Sequence, residues 1–207
     1  FDPDISDQMA MEHVEIEPLA NAAEKDIHWA RDIYGVLENG GQSPVNRPLA
    51  ALNTATATQG MVIRVTGKAP RPICLHYVRT SETADAVVHH IVKVEAGGDV
   101  TLLENGPAAA RINKVLEVDI ADGGAFHHVR TQGRDHERRA AAHIFARLGT
   151  ESSFKSFSLT VNGALTRNEC VIEILGDNAH ATIAGAAVGD GKTHPFHQDD
   201  TVFITHD

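Results

Sequence analysis

The stretch Leu116–Gly124, LEVDIADGG, decides the fold, because a short alternating strand runs directly into a double-glycine turn. Leu116, Val118 and Ile120 are apolar and are separated by single acidic residues. Successive side chains of a β-strand point to opposite faces, so this alternation predicts a strand with one buried face. The glycine pair at the end of the stretch predicts a tight turn.

The same pattern recurs along the chain with a period of 26 residues. The turn positions are Gly98, Gly124, Thr150 and Gly176; one apolar column is Val92, Val118, Ile144 and Cys170, and a second is Val94, Ile120, Ala146 and Ile172. Such a repeat predicts stacked β coils, each of which buries its inner face only with neighbours above and below. Because crossovers between parallel strands are right-handed in nearly all proteins, we predict a right-handed parallel β-helix.

One segment of the repeat has a conflicting local preference. Glu137–Leu148, ERRAAAHIFARL, is rich in residues that favour an α-helix. Ile144 and Ala146 nevertheless keep the register of the two columns. We therefore predict a strand here.

The sequence before the repeat has a different pattern of residues. Helical spacing of apolar residues predicts a helix over Asn21–Asn39, ended by a double glycine, and a short second helix over Leu49–Asn53. The acidic start, Phe1–Glu17, is interpreted as a poorly ordered leader without the features of a signal peptide. The predicted organisation is an N-terminal leader and helical region over 1–58 and a mainly β solenoid core over 59–207.

Composition excludes several classes of function. The net charge is −10, and no Lys/Arg run supplies the basic face that a nucleic-acid partner needs. No uninterrupted apolar stretch approaches the length of a membrane span. The chain has two cysteines and no C-x-x-C motif, which is typical of a protein of the reducing cytoplasm rather than of a disulfide scaffold.

The two thiols are candidate nucleophiles or sulfur acceptors. A reactive thiol needs exposure and a cationic neighbour. Cys170 lies in the first apolar column, where a small buried side chain fits. The structural interpretation is preferred for both.

The chain has 13 histidines, four of which share the 26-residue phase with Leu102 and Phe154. These four are His76, His128, His180 and His206. In a β-helix, His128 and His180 would be two rungs, roughly 10 Å, apart. Two imidazoles on one zinc ion lie within about 4 Å of each other, so this column cannot form a mononuclear site.

Near the end of the chain, HPFHQDDTVFITHD places histidines close to carboxylates. His194, His197 and His206 are weak candidates for ligands of iron or zinc, although their spacing matches no strong metal motif. The stretch GGAFHH (123–128) is faintly similar to a cupin metal strand, and a metal-dependent cupin-like enzyme is the alternative function. No phosphate loop or nucleophile elbow is present, so no catalytic residue is assigned.

Several segments together resemble the SufB/SufD family of iron–sulfur cluster assembly proteins, and most closely its SufD-type members. These segments are RPLAALNTA (47–55), the glycine-turned coils, SFSLTVNGALTRNE (156–169) and GDGKTHPFHQDDTVFITH (189–206). In the last of them, His197, Asp199, Thr201 and His206 match the family signature. The resemblance extends from about Leu19 to the end.

The resemblance implies a right-handed parallel β-helix and a scaffold role in the SufBCD complex, where iron–sulfur clusters form. It implies that SufB binds through the β-helix and that the SufC ATPase binds through C-terminal helices. Such a protein is not itself an enzyme. It binds no permanent cofactor, and clusters pass transiently through the parent complex.

The sequence departs from the family pattern in its length. The family's later C-x-H-G segment and its SufC-binding helices have no counterpart here, so the sequence is interpreted as the N-terminal helical part and a portion of the β-helix. Terminal coils of a solenoid usually need a cap, and an open strand edge pairs readily with another chain. We therefore predict either a homodimer across the last coil or disorder near it.

Overall fold

The computed structural model describes residues 11–26, 28–79, 81–106, 109–133, 135–190 and 192–206. The protein is mainly β, with 52% strand and 12% helix, and forms a parallel β-solenoid of about 4 turns behind a short helical region. None of the helices in the described ranges is long and apolar enough to cross a membrane. The predicted solenoid is thus confirmed.

Twelve strands and three short α-helices are present in the described residues. The helices are α1 Leu19–Ala23, α2 Val36–Gly40 and α3 Pro48–Thr56, with a 3-10 turn at Trp29–Asp32. The strands are β1 Val14–Pro18, β2 Met61–Val65, β3 Ile73–His76, β4 Asp85–Val94, β5 Asp99–Asn105, β6 Arg111–Ile120, β7 Ala125–Gln132, β8 Arg139–Leu148, β9 Ser153–Val161, β10 Leu165–Ile174, β11 His180–Val188 and β12 Gln198–His206.

The strands form two sheets, which are the two walls of the solenoid. The first wall has the order β1-β2-β4-β6-β8-β10-β12, and the second has the order β11-β9-β7-β5-β3. All pairings are parallel except that of β1 with β2. Each coil therefore contributes one strand to each wall, as stacked coils require.

Two apolar cores lie on opposite faces of the first wall. The inner core fills the solenoid with side chains such as Val118, Ile120, Phe126, Leu148 and Phe154. The outer core joins the wall to the helical region and is formed by Ala22, Ile33, Leu37, Ala50, Val62, Ile91, Val115 and Phe145, among others. Because both faces of the wall are covered, five consecutive residues are buried in the middle of each of β4, β6 and β8.

The 26-residue period holds between some rungs and is wrong between others. Val92 lies beside Val118, as predicted, but Val118 lies beside Ala146 and Leu116 lies beside Ile144, an offset of two further residues. The two extra residues lie in the segment that runs from the start of β7 to the start of β8. Because side chains alternate with a period of two, this shift leaves every residue on its predicted face.

The turn positions show the same shift of two residues. Backbone hydrogen bonds place Gly98 and Gly124 in equivalent positions, and the residue equivalent to them in the next coil is Ser152, not Thr150. The segment Glu137–Leu148 forms β8 over Arg139–Leu148, so the prediction of a strand against the local helix preference is confirmed.

The predicted histidine column does not exist. His76 pairs with Asn105, His128 pairs with Ser156, and His180 pairs with Ser153. His206 lies in the other wall, beside Ile174. The same shifts in register that break the strict period separate these histidines.

The helix predicted over Asn21–Asn39 is wrong as one continuous element. It is divided into α1, the 3-10 turn and α2, because His28 is extended and Gly35 has a left-handed φ of 71°. Ile27, which belongs to the predicted range, lies outside the described residues. The second predicted helix is confirmed and extends over Pro48–Thr56. Within the predicted leader, residues 14–17 are part of β1, which pairs with β2.

Candidate functional site

A cluster of polar side chains lies inside the solenoid. Its members are Tyr77, His90, Glu104, Lys114, His128 and Arg130, and we call this set the interior cluster. The charged members are almost completely buried: Glu104 is 1% exposed, Lys114 3% and Arg130 4%. Buried charges are rare in proteins unless they are paired, so their partners decide what the cluster does.

Strand alternation brings these side chains into the interior. In β5, Val100, Leu102 and Glu104 share the inward face, and in β7 His128 and Arg130 continue the inward face. The apolar alternation of each strand thus ends in a polar residue. The strand ends of adjacent coils stack, which gathers the polar residues in one part of the interior.

The Glu104 carboxylate is the centre of the interior cluster. It pairs with the Lys114 ammonium through Oε2. It also contacts His128 Nε2 at 3.2 Å and accepts a hydrogen bond from the Tyr77 hydroxyl at 3.2 Å. The same hydroxyl lies 2.8 Å from His90 Nε2. Five of the six members, all except Arg130, therefore form one connected network.

Burial and charge act in opposite directions on these groups. Burial alone would raise the pKa of Glu104, but Lys114 and His128 hold that pKa well below 4.5. Burial lowers the pKa of Lys114 to about 8 although Glu104 opposes this shift. Burial also lowers the pKa of His90 to about 3 and raises the pKa of Tyr77 well above 10. At neutral pH the carboxylate is ionised and His90 is neutral.

The cluster has more hydrogen-bond donors than acceptors. Arg130 Nη2 donates to Asn168 Oδ1 at 2.8 Å and to Ser158 Oγ at 3.1 Å, but Arg130 Nε and Nη1 have no partner among the described residues. Arg138 Nε also has none. Unsatisfied buried donors are uncommon in proteins, and a water molecule or another small polar group would satisfy them.

These donors border a cavity of about 30 Å³, large enough for a water molecule or a guest of similar size. Its polar lining comprises Tyr77, Glu104, Lys114, Arg130, Gln132 and Arg138. Three cationic side chains face one carboxylate there. The site is suited to hold a small, electron-rich guest by hydrogen bonds.

The three weak metal candidates of the sequence are not brought together. His194 lies with His136 and Asp190, and the ligand atoms of these three residues lie within 4.8 Å of one another. Neither His197 nor His206 belongs to this group. The sequence interpretation missed His136 because it lies far from His194 along the chain, and only the stacking of coils connects them.

The two thiols lie in different surroundings. Cys170 is buried in the inner core beside Ile144, as predicted, and burial raises the pKa of its thiol to about 12. Cys74 is exposed on β3. A thiol that stays protonated in an apolar core is not a nucleophile, so the structural interpretation of Cys170 is supported.

Comparison with known protein families shows the class of protein to which the chain belongs. The family described as SUF system FeS cluster assembly, SufBD core domain, matches residues 77–207. The chain therefore belongs to the SufB/SufD family and has a role in iron–sulfur cluster assembly. Family members are components of a cluster-assembly scaffold and are not known as catalytic enzymes. A search of curated proteins finds no match to this chain.

The whole interior cluster lies within the matched region, which begins at Tyr77. Sequence reasoning missed Glu104, Lys114 and Arg130 as site residues. A signal was present, because Glu104 follows Val100 and Leu102 at two-residue spacing, and Arg130 follows His128 in the same way. Continuing the inward alternation to the end of each strand would have identified both.

Proposed function

We propose that the chain is a SufD-like scaffold component of the SufBCD complex, acting through contacts with SufB and the SufC ATPase. The match of residues 77–207 to the family carries this proposal. The SufD-type segments of the sequence, above all 156–169 and 189–206, support the choice of SufD over SufB. The protein acts in the cytoplasm, which suits its two free thiols. It holds no permanent cofactor and meets clusters only within the complex.

The surface proposed for SufB is the coil end formed by β12. Val202 pairs with Cys170, and Ile204 pairs with Ile172, so both continue the inner columns. They are nevertheless 48% and 47% exposed. Inward-facing apolar residues with this exposure favour contact with another β coil, because strand edges and open apolar ends associate readily.

Co-purification tests this function. The chain of residues 1–207, tagged, is expressed together with the SufB and SufC homologues of its own source and is captured by the tag. We expect SufB to be retained, and SufC with it. Capture of neither homologue by a folded protein would show that the proposal is wrong.

Two variants locate the contact. Ile204→Asp places a charge at the coil end, and we expect it to weaken SufB capture at least about tenfold, which is 1.4 kcal/mol. Val45→Asp changes a residue of similar exposure, 51%, in the loop before α3, and is the matched control. Equal capture by both variants would remove the coil end from the proposed contact.

A homodimer through the same edge is the second partner proposed for this surface. Light scattering on the purified protein without SufB measures it directly. We expect a dimer that Ile204→Asp converts to a monomer. A monomer before any substitution would exclude the homodimer and leave SufB as the proposed occupant.

The alternative of a cupin-like enzyme loses its structural basis. A cupin is a jelly roll with antiparallel strands, whereas both walls here are built from parallel strands apart from the pairing of β1 with β2. His127 and His128 also point to opposite faces: His128 is buried, and His127 is partly exposed beside Asp99.

A further inference from the structure

Three loops meet at one corner of the solenoid, where strands of the second wall lead back to the first. They connect β7 to β8 (133–138), β9 to β10 (162–164) and β11 to β12 (189–197). The middle loop is much shorter than the two that flank it. Rungs of a β-sheet are about 4.8 Å apart, so loops two rungs apart meet only when the loop between them is short.

The two longer loops bring together two imidazoles and one carboxylate. His136 Nε2 lies 3.3 Å from Asp190 Oδ2, and the rings of His136 and His194 stack with centroids 4.0 Å apart and an angle of 20° between their planes. The ligand atoms of the three residues all lie within 4.8 Å of one another. This is the one group of three potential metal ligands found among the described residues.

Neighbouring groups hold this arrangement in place. The backbone N–H of Asp190 donates to Asn162 Oδ1 at 3.1 Å, which fixes one long loop to the short one. Arg138 Nη2 donates to the carbonyl oxygen of Asn162 at 2.8 Å, which fixes the 133–138 loop to the same short loop. The Thr193 hydroxyl lies 2.9 Å from His194 Nδ1. In the tautomer in which Nδ1–H donates to this hydroxyl, Nε2 carries the lone pair that a metal ion needs.

We propose that His136, Asp190 and His194 form a surface site for one divalent transition-metal ion. Two imidazole nitrogens and a carboxylate oxygen are ligands that suit Zn²⁺, Fe²⁺ and Co²⁺, whereas Mg²⁺ and Ca²⁺ prefer oxygen ligands alone. Metal–ligand distances near 2.1 Å require ligand atoms about 3.3 Å apart, a separation that His136 and Asp190 already have.

The exposure of the site determines how it binds. The side chain of His136 is 30% exposed and that of Asp190 is 57% exposed, so solvent completes the coordination sphere. Three protein ligands with open positions are typical of ions that exchange or react, whereas purely structural zinc has four protein ligands. The site therefore binds its ion reversibly. This inference does not depend on the SufD-like function, since it rests on the three loops alone.

Cobalt titration of the full metal-free protein tests the site. Co²⁺ reports its own ligands, because its visible spectrum changes in position and intensity with coordination. We expect one Co²⁺ per chain, with Zn²⁺ displacing it. His136→Ala, Asp190→Asn and His194→Ala should each weaken Co²⁺ binding at least about tenfold.

Two controls separate a metal site from an ordinary surface ion pair. His197→Ala changes an exposed histidine in the same loop as His194, and His127→Ala changes another histidine beside a carboxylate, 3.7 Å from Asp99. We expect both to bind Co²⁺ as the unmodified protein does, with circular dichroism showing that all variants are folded. The proposal is overturned by no saturable binding, by unchanged affinity in any of the three ligand variants, or by equal losses in the controls.

Discussion

The imidazole of His89 and the carboxylate of Glu117 form a completely buried pair, with Nε2 and Oε2 2.8 Å apart. They lie on the outer face of the first wall, on adjacent strands. The same carboxylate accepts hydrogen bonds from the backbone N–H of Gly35 at 2.7 Å and of Glu38 at 2.9 Å. His89 Nδ1 contacts Asn53 Oδ1 at 3.1 Å. One carboxylate thus attaches the helical region to the solenoid.

Removing this carboxylate should destabilise the protein strongly. Glu117→Ala leaves two backbone donors and a histidine without their buried partner, so we expect a loss of about 3 kcal/mol or more in the free energy of unfolding. Urea denaturation measures it. The control is Glu173→Ala, an exposed glutamate of β10, with an expected change within about 0.5 kcal/mol. Similar losses in the two variants would contradict the attachment role of Glu117.

Acid should destabilise the protein well before its carboxylates titrate. Burial lowers the pKa of His90 to about 3 and that of His143 to about 4, against 6.5 for an ordinary histidine. Between those values the unfolded chain binds more protons than the folded one, so stability rises with pH and is lost as pH falls below about 6.5.

A single variant isolates the contribution of His90. His90→Gln should flatten the dependence of unfolding free energy on pH by up to about 1.4 kcal/mol per pH unit between pH 4 and 6.5. Urea denaturation at several pH values measures this slope. The slope of the unmodified protein under the same conditions is the reference. An unaltered slope in His90→Gln would show that this histidine is not held neutral by burial.

The two thiols should differ sharply in their reaction with an aromatic disulfide reagent. Cys74 is exposed and should react in the native protein, whereas Cys170, with a pKa of about 12, should react only after unfolding. Counting thiols before and after adding denaturant checks this. Cys170→Ser should still give one native thiol, and Cys74→Ser should give none. Rapid reaction of the Cys74→Ser variant would contradict the buried position of Cys170.

Gly106, which borders the interior cavity, should not tolerate a side chain. Its φ is +112°, and a Cβ atom there would lie 2.2 Å from the carbonyl oxygen of Tyr77. We expect Gly106→Ala to cost about 3 kcal/mol or more, because steric overlap adds to backbone strain. Gly40→Ala is the control, since nothing lies within 4 Å of its added Cβ, and should change stability by less than about 1 kcal/mol. Thermal or urea unfolding distinguishes the two.

The solenoid was predictable because its signal is repeated in every coil. Leu116, Val118 and Ile120 alternate as an inward face must, and neighbouring coils repeat that alternation. The register was not predictable in full. The two extra residues before β8 preserve the alternation, so the pattern alone cannot distinguish Ala146 from Ile144 as the neighbour of Val118.

The candidate sites were harder to predict, since both depend on contacts between coils. Glu104 and Lys114 pair although they belong to different walls. His136 and His194 meet only because the loop over 162–164, which lies between their own two loops, is short. Likewise, the break of the N-terminal helix depends on the left-handed Gly35, whose backbone N–H is bonded to the distant Glu117. Local sequence patterns contain none of these long-range contacts.

Both faces of the first wall are covered, which restricts the substitutions that its strands tolerate. Five consecutive residues are buried in the middle of each of three strands, 88–92, 114–118 and 142–146. In β5 and β7 burial mostly alternates with exposure, so every second position faces outward. Few substitutions should therefore be tolerated in the middles of β4, β6 and β8, whereas β5 and β7 accept replacements at alternate positions.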